Sequence, residues 1–195
     1  MLHCTLNSPS DINIVIRFCN LCGASVSFIV PSGDSLPRHV CNTCGNIHYE
    51  NPRLVVGCVA EWDNRILLCR RAIEPRLGFW TLPGGFMENG ETTAQAAGRE
   101  AYEEAGADIA IDAPFAMVSI PHINQVHLFY RGRLTSADYS AGEESLEVAL
   151  VQPREIPWQD LAFRSVSFCL ERYLADRAHG NFGFHESELA PLPSM

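Results

Sequence analysis

The chain has 195 residues, a length that fits one ordinary domain with a small appended module. Apolar residues make up 47% and charged residues 19%, which argues against a disordered or low-complexity protein. The formal net charge of −9 disfavours a nucleic-acid partner, because broad contact with a phosphate backbone needs a clustered excess of lysine and arginine.

Residues 1–17 form an N-terminal extension to which the sequence assigns no role. The stretch lacks lysine, Arg17 is its only arginine, and its apolar run at 12–16 is too short for a signal-peptide core or a membrane span. We therefore expect a cytoplasmic protein with no membrane partner.

Four of the eight cysteines lie in two copies of one short pattern, Cys-x-x-Cys-Gly. Thiolates three residues apart can chelate one ion if the chain turns tightly after the second cysteine, and the following glycine permits that turn. Short extended segments are expected between the two copies, at 25–30 and 37–40. The pattern predicts a zinc ribbon over residues 18–50, in which a structural Zn²⁺ is held by Cys19, Cys22, Cys41 and Cys44.

Two alternatives to zinc are a pair of disulfides and a redox Cys-x-x-Cys motif. The missing export signal disfavours disulfides, and a redox motif would not need a twin. The other cysteines lack this spacing, and Cys58, Cys69 and Cys169 lie in apolar runs where a thiol packs as a small hydrophobe. We assign no chemistry to these.

Residues 51–185 show longer apolar segments and two helical patterns, and residues 186–195 are expected to trail as a flexible tail. The pair Asp63-Asn64 predicts a hairpin between the first two strands. Mixed strands with a helix on either side favour an α/β/α sandwich. Strands are predicted at 54–62, 65–70, 80–82, 109–120, 125–134 and 146–152, and helices at 92–105 and 166–178.

The first predicted helix carries three glutamates on one face. Glu100, Glu103 and Glu104 stand at positions i, i+3 and i+4, so their carboxylates repel one another and would suit Mg²⁺ or Mn²⁺. A solvated surface helix is the alternative. The surrounding spacing G-x5-E-x7-R-E-x2-E-E-x-G makes chance an improbable explanation, because it fixes several residue types over a short stretch.

That spacing resembles the Nudix box, whose positions are matched by Gly85, Glu91, Arg99, Glu100, Glu103, Glu104 and Gly106. Its two aliphatic positions hold the smaller Ala101 and Ala107. The resemblance implies the Nudix α/β/α fold and catalytic Mg²⁺ or Mn²⁺ on the three helix glutamates, with the carbonyl of Gly84 as a further ligand. It also implies that Glu91 and Arg99 form a supporting ion pair.

Nudix enzymes often use a further acid from a later strand or loop as a base or extra ligand. Glu147, which starts an apolar strand, is the first choice here, and Glu144 is the second. An exposed acidic loop without a catalytic role is the alternative.

The resemblance implies hydrolysis of a pyrophosphate bond in a nucleoside diphosphate linked to another group X, giving the nucleoside monophosphate and phospho-X. A zinc ribbon before a Nudix domain is also found in NADH pyrophosphatases, but their Ser-Gln-Pro-Trp-Pro-Phe-Pro segment is replaced here by residues 116–123. The chain is more similar to the zinc-ribbon Nudix enzymes of plants and bacteria that act on FAD and ADP-ribose. Many Nudix relatives are homodimers, so the resemblance also implies a homodimer.

Several residues are candidates for substrate binding. Adenine could stack on Phe129 or Tyr130, and a phosphate could pair with Arg71, Arg76 or Arg70. Ordinary strand faces and surface arginines are the alternatives, and His127 is assigned no role. Three other functions stay open, namely cleavage of NADH, cleavage of oxidised nucleoside triphosphates and a non-catalytic nucleotide-sensing module.

Overall fold

The computed structural model describes residues 16–191, which fall into two compact units. We call residues 16–51 the ribbon unit and residues 52–191 the sheet unit. Most of the predicted N-terminal extension and the last four residues of the predicted tail lie outside the described residues. Between residues 16 and 191, no helix is both long and apolar enough to cross a membrane.

The ribbon unit is a small antiparallel sheet whose turns carry the cysteines. Strand β1 (Val26–Ile29) pairs with β2 (Arg38–Cys41), which pairs with β3 (Ile47–His48). Gly23 and Gly45 follow the two Cys-x-x-Cys pairs with φ of 74° and 72°, a left-handed conformation that glycine adopts without steric cost. Each turn therefore folds its two thiols toward one point.

The sheet unit contains one large mixed sheet and two α-helices. The elements are β4 (Arg53–Trp62), β5 (Arg65–Arg71), β6 (Trp80–Thr81), β7 (Gly84–Phe86), α1 (Thr93–Ala105), β8 (Ile109–Ile120), β9 (Gln125–Leu134), β10 (Ser145–Val151), α2 (Arg164–His179) and β11 (His185–Glu188). Strand β4 is parallel to β9 and β8 is parallel to β11, while the other pairs are antiparallel. Among residues 52–191 the sheet order is β10-β5-β4-β9-β8-β11, with β6 beside β5 and β7 beside β4.

The two helices cover opposite faces of this sheet. In β5, Ile66 and Leu68 pack in the core that contains α2, whereas Leu67 and Cys69 pack in the core that contains α1. Successive side chains of a strand point to opposite faces, so both faces of β5 are buried. This arrangement confirms the predicted α/β/α sandwich.

Helix α1 begins after a threonine cap and ends at a glycine. Thr92 caps its start, because its hydroxyl accepts from the Gln95 N–H at 3.2 Å and its own N–H donates to the Gln95 side chain at 2.8 Å. Gly106 ends it with φ of 57°. Ala101 and Ala107, which hold the box's two aliphatic positions, are fully buried.

The predicted flexible tail is wrong for residues 186–188, which belong to β11. This strand pairs in parallel with residues 116–119 of β8, and the pairing continues where the Leu189 N–H donates to the Ser119 carbonyl at 2.9 Å. His185 packs against the Phe115 ring, with centroids 5.1 Å apart. The sequence His-Glu-Ser-Glu carries no apolar alternation, because β11 is an edge strand held mainly by its backbone.

Candidate functional site

The sheet unit contains a cavity of about 1060 Å³. Its walls include strands β4, β7 and β9, the glutamate face of α1 and the first turn of α2. This volume is slightly above the usual range for small-molecule sites, so the cavity can hold a ligand of dinucleotide size.

Strand β7 lies close to the backbone of β4 on one side and to a glutamate side chain of α1 on the other. A Cβ on Gly84 would lie 2.6 Å from Cα of Gly57 on β4, and a Cβ on Gly85 would lie 2.5 Å from Oε2 of Glu100. Glycine at these positions therefore permits the approach. As a result the Gly84 N–H donates to Oε2 of Glu104 at 3.1 Å, and the Gly84 peptide lies beside the carboxylates.

Two of the three helix glutamates are buried. Glu100 is 9% exposed and Glu104 is 7% exposed, while Glu103 is open to solvent. Burial, together with the charges of Glu100 and Glu144, raises the pKa of Glu104 to about 7. Burial also raises the pKa of Glu100, although Arg99 opposes this effect. Buried carboxylates that repel one another are stabilised by added positive charge, as a divalent ion would supply.

Arg99 connects the glycine loop to the glutamate helix. Its Nε and Nη2 donate to the two oxygens of Glu91 at 3.1 Å and 2.8 Å, which gives a bidentate pair. Nη2 also donates to the Phe86 carbonyl, and Nη1 donates to Glu100 at 2.8 Å and Glu103 at 2.9 Å. The structure therefore contains the ion pair that the sequence predicts, and Arg99 also holds two of the three proposed ligands.

The glutamates fit Mg²⁺ or Mn²⁺ by chemistry, since all their donors are hard oxygens. However, the oxygens of the three glutamates do not converge on one point. In residues 16–191, the cysteine cluster is the only set of three or more potential ligands whose atoms all lie within 4.8 Å of one another. Because Glu103 is turned toward Arg99, a divalent ion at this site would compete with Arg99 for that carboxylate.

The structure brings Glu144 to the cavity and leaves Glu147 outside it. Glu144 lines the cavity, and its charge raises the pKa of both Glu100 and Glu104. Glu147 lies on the exposed part of β10, where it pairs with Arg70 at 3.6 Å. The pairing of β10 with β5 is irregular between Ser145 and Glu147, and such a bulge changes the face to which a side chain points.

Three predicted substrate-binding residues line the cavity, namely Phe129, Arg71 and Arg76. The Arg71 guanidinium lies 5.1 Å from the Phe163 ring centre, and that of Arg76 lies 4.9 Å from the Phe79 ring centre. Tyr130 is excluded from the cavity, because it points to the α1 face, where its hydroxyl hydrogen-bonds Thr93 at 2.5 Å. Arg70 donates instead to the Gly78 carbonyl and pairs with Glu147.

The cavity also holds polar residues to which sequence reasoning assigned no role. His127 hydrogen-bonds Ser165 at 2.9 Å and Gln125 at 3.0 Å, and all three residues line the cavity. Gln125, His127 and Phe129 occupy every second position of β9 and therefore point to the same face of the sheet. This spacing is the one sequence signal that could have indicated a shared site. Ser165 comes from α2, 38 positions away, so no spacing rule could have joined it to them.

The four cysteines of the ribbon unit form a cluster with the dimensions of a tetrahedral metal site. The Sγ atoms of Cys19 and Cys44 are 3.7 Å apart, and Cys22 lies 3.4 Å from Cys41 and 3.6 Å from Cys44. Four thiolates around one Zn²⁺ at about 2.3 Å would be about 3.8 Å apart, whereas a disulfide would need about 2.05 Å. The geometry therefore favours a closed zinc site over the disulfide alternative.

Backbone N–H groups stabilise thiolate in this cluster. The N–H groups of Cys44 and Thr43 both donate to Sγ of Cys41 at 3.4 Å, and they lower the pKa of Cys41 to about 6. Metal ligation requires the deprotonated thiol. These N–H groups therefore favour the thiolate form of Cys41 in particular.

Comparisons with solved structures agree with this architecture. The chain is similar to a NUDIX hydrolase from Nitrosomonas europaea, with 49% identity, a TM-score of 0.87 and coverage of 89% of this chain and 99% of that one.

Two curated relatives match smaller parts. An ADP-ribose pyrophosphatase of Methanocaldococcus jannaschii is 47% identical over 58 residues, which are 30% of this chain and 34% of that protein. A putative 8-oxo-dGTP diphosphatase of Bacillus subtilis is 35% identical over 101 residues, which are 51% of this chain and 65% of that protein. The chain thus spans from about one third to just under two thirds of the length of these relatives.

Two family models match adjoining parts of the chain. The model described as Nudix N-terminal matches residues 17–50, which contain the four clustered cysteines. The model described as NUDIX domain matches residues 51–168, which contain the glycine loop and the glutamate helix. On the fold, the site and these matches together, the chain belongs to the Nudix family.

Proposed function

We propose that this chain hydrolyses the pyrophosphate bond of a nucleoside diphosphate linked to another group, with ADP-ribose or FAD as the substrate and AMP and phospho-X as the products. The observation that carries the proposal is a pair of buried carboxylates, Glu100 and Glu104, at the wall of a cavity of about 1060 Å³. This arrangement puts metal-binding groups beside space for a large nucleotide.

Mg²⁺ or Mn²⁺ would be held by Glu100, Glu103 and Glu104, with the Gly84 carbonyl as a further ligand. When bound, the metal supplies charge neutralisation for the phosphate oxygens and lowers the pKa of a water. In the ribbon unit, the four cysteines would hold Zn²⁺, which leaves no open position for catalysis and so has a structural role.

Other residues of the chain have defined tasks in this proposal. Glu144 takes the proton from the attacking water, whose oxygen forms a bond to one phosphorus while the bridging P–O bond breaks and the other phosphate leaves. Arg71 and Arg76 pair with phosphate oxygens, because both line the cavity and carry a permanent positive charge. We favour Glu144 over Glu147 as the base, since it lies on the cavity wall.

The Methanocaldococcus jannaschii relative is named for ADP-ribose pyrophosphatase activity, which supports ADP-ribose as the substrate. That match is short, so the substrate has to be found by experiment. Product analysis of the purified protein with Mg²⁺ or Mn²⁺ and a panel of FAD, ADP-ribose, NADH and oxidised dGTP tests the proposal. The double variant Glu103→Gln, Glu104→Gln serves as the inactive control.

AMP that appears with FMN or ribose 5-phosphate, and is lost in the double variant, would support the proposal. Cleavage of oxidised dGTP alone would favour a sanitation role, which the name of the Bacillus subtilis relative suggests for that protein. Binding of panel members without metal-dependent cleavage would contradict the hydrolase proposal and favour a nucleotide sensor.

Replacing Arg99 with lysine should lower kcat/KM for the substrate identified in this panel by roughly 10-fold to 100-fold, the usual range for groups that orient metal ligands. Lysine keeps the charge but cannot make the bidentate contact to Glu91 while also reaching Glu100 and Glu103. Steady-state kinetics over a Mn²⁺ titration measures the effect. Arg133→Lys, at a side chain that is 71% exposed, is the matched control and should be neutral.

A further inference from the structure

A chain of two hydrogen bonds joins three polar side chains of the cavity wall. It involves none of the glutamates of α1. Nδ1 of His127 is 2.9 Å from Oγ of Ser165, and Nε2 of His127 is 3.0 Å from Oε1 of Gln125. His127 is 7% exposed and Ser165 is fully buried, whereas Gln125 is partly exposed. Gln125 is thus the end of the chain that a ligand can reach.

The hydrogen-bonding roles in this chain follow from the chemistry of its members. Burial lowers the pKa of His127 to about 4, so the ring is neutral at pH 7 and has one N–H. Because Oε1 of Gln125 can only accept, Nε2 of His127 carries that hydrogen, and Nδ1 accepts from the Ser165 hydroxyl. The Gln125 oxygen is therefore occupied, and its amide nitrogen has two hydrogens for another partner.

The surroundings of the chain are mainly apolar. Val55 and Phe129 lie on the same face of the sheet as His127, and the His127 and Phe129 rings meet edge to face with centroids 6.3 Å apart. Polar groups buried among apolar ones cost free energy unless every one is paired. An amide donor that ends such a chain at a cavity is suited to a ligand with a hydrogen-bond acceptor and apolar faces.

The position of the chain relative to the glycine loop fits a nucleotide. The register of the sheet aligns Phe86 of β7 with Val55 of β4, and Val55 with His127 of β9. Two inter-strand spacings, roughly 10 Å, therefore separate the His127 backbone from the strand that carries Gly84 and Gly85. A nucleotide whose phosphates lie at the glutamates would extend its base across β4 toward β9.

We propose that Gln125, positioned by His127 and Ser165, recognises the nucleobase of the substrate. Its amide N–H donates to an acceptor nitrogen of a purine, and Val55 and Phe129 provide the apolar contacts. This inference rests on the proposed function, because it assigns the base of the same nucleotide to the part of the cavity away from the glutamates. Gln125 touches the base, whereas His127 and Ser165 act through Gln125.

The test is calorimetric binding of AMP and of ribose 5-phosphate without divalent metal, since the two ligands differ in the nucleobase. Gln125→Met, which keeps the length of the side chain and removes its donor, should weaken AMP binding about tenfold, equivalent to about 1.4 kcal/mol. Binding of ribose 5-phosphate should not change. Gln159→Met, at an exposed position that does not line the cavity, is the matched control.

The positioning roles have a separate readout. His127→Phe keeps a ring of similar shape but breaks both hydrogen bonds, so it should weaken AMP binding by a similar factor. The double variant with Gln125→Met should be no weaker than either single variant, because the residues act as one unit. With the substrate found in the panel, Gln125→Met should raise KM and leave kcat nearly unchanged, as expected for a contact present equally in ground and transition states.

Equal losses of AMP and ribose 5-phosphate affinity would overturn the inference, because they would indicate a general structural defect. Wild-type protein that binds AMP no more tightly than ribose 5-phosphate would overturn it too. Neither result depends on catalysis. A failure of the proposed function, which would appear as an absence of metal-dependent cleavage, is therefore distinguishable from a failure of this inference.

Discussion

Replacing Glu104 with glutamine should lower kcat/KM of metal-dependent hydrolysis on the order of a thousandfold, roughly 4 kcal/mol of transition-state stabilisation. Glutamine has nearly the same shape and can still accept the hydrogen bond from the Gly84 N–H, which is 3.1 Å from Glu104 now. It removes the negative charge, however, and with it the strongest reason for a divalent ion to bind here. Initial rates of AMP release at saturating Mn²⁺, measured over a range of substrate concentrations, give the loss in kcat/KM.

The same variant has a second readout that separates chemistry from folding. Glu104 is 7% exposed, so its charge is poorly solvated in the metal-free protein. Without added Mg²⁺ or Mn²⁺, Glu104→Gln should therefore unfold at a temperature no lower than the wild type. An inactive variant that also melts well below the wild type would contradict this explanation. Glu171→Gln, at an exposed position on α2, should match the wild type in both measurements.

The glutamate face of α1 could be predicted because it is local. Glu100, Glu103 and Glu104 share one side of α1 by helical spacing, and the capping residues fix where that helix begins and ends. The pairing of Glu91 with Arg99 also follows from a short loop and one helical turn. The additional ion pairs of Arg99 with Glu100 and Glu103 could not be predicted from the sequence and are seen only in the three-dimensional structure.

The features that sequence reasoning missed depend on distant or irregular contacts. Glu144 lines the cavity and Glu147 does not, and the register shift between Ser145 and Glu147 in β10 leaves no pattern in the residues that would have indicated this. Strand β11 is held by backbone bonds to β8, so its polar side chains gave no strand signal. The chain from Gln125 to Ser165 joins β9 to α2, whose residues are brought together only by the packing of that helix on the sheet.

The ribbon unit should lose its fold when its metal site is broken. It contains few residues, below the size at which a hydrophobic core alone is usually sufficient, and several of its large apolar side chains are exposed. Structural zinc contributes about 10–16 kcal/mol in comparable small domains, more than such a unit could replace. We therefore expect Cys41→Ser to abolish stoichiometric zinc binding and to expose residues 16–51 to proteolysis.

Metal analysis by mass spectrometry, together with limited proteolysis, checks this expectation. Cys41 is the informative position, because the residue is 3% exposed and its Sγ accepts hydrogen bonds from the backbone N–H groups of Thr43 and Cys44. Serine preserves the size of the side chain but replaces a soft thiolate by a hydroxyl that binds Zn²⁺ poorly. Cys169→Ala, which removes a buried thiol from α2, should retain one zinc per chain. A Cys41→Ser protein with full zinc content and a protected ribbon would mean that these cysteines do not hold the fold.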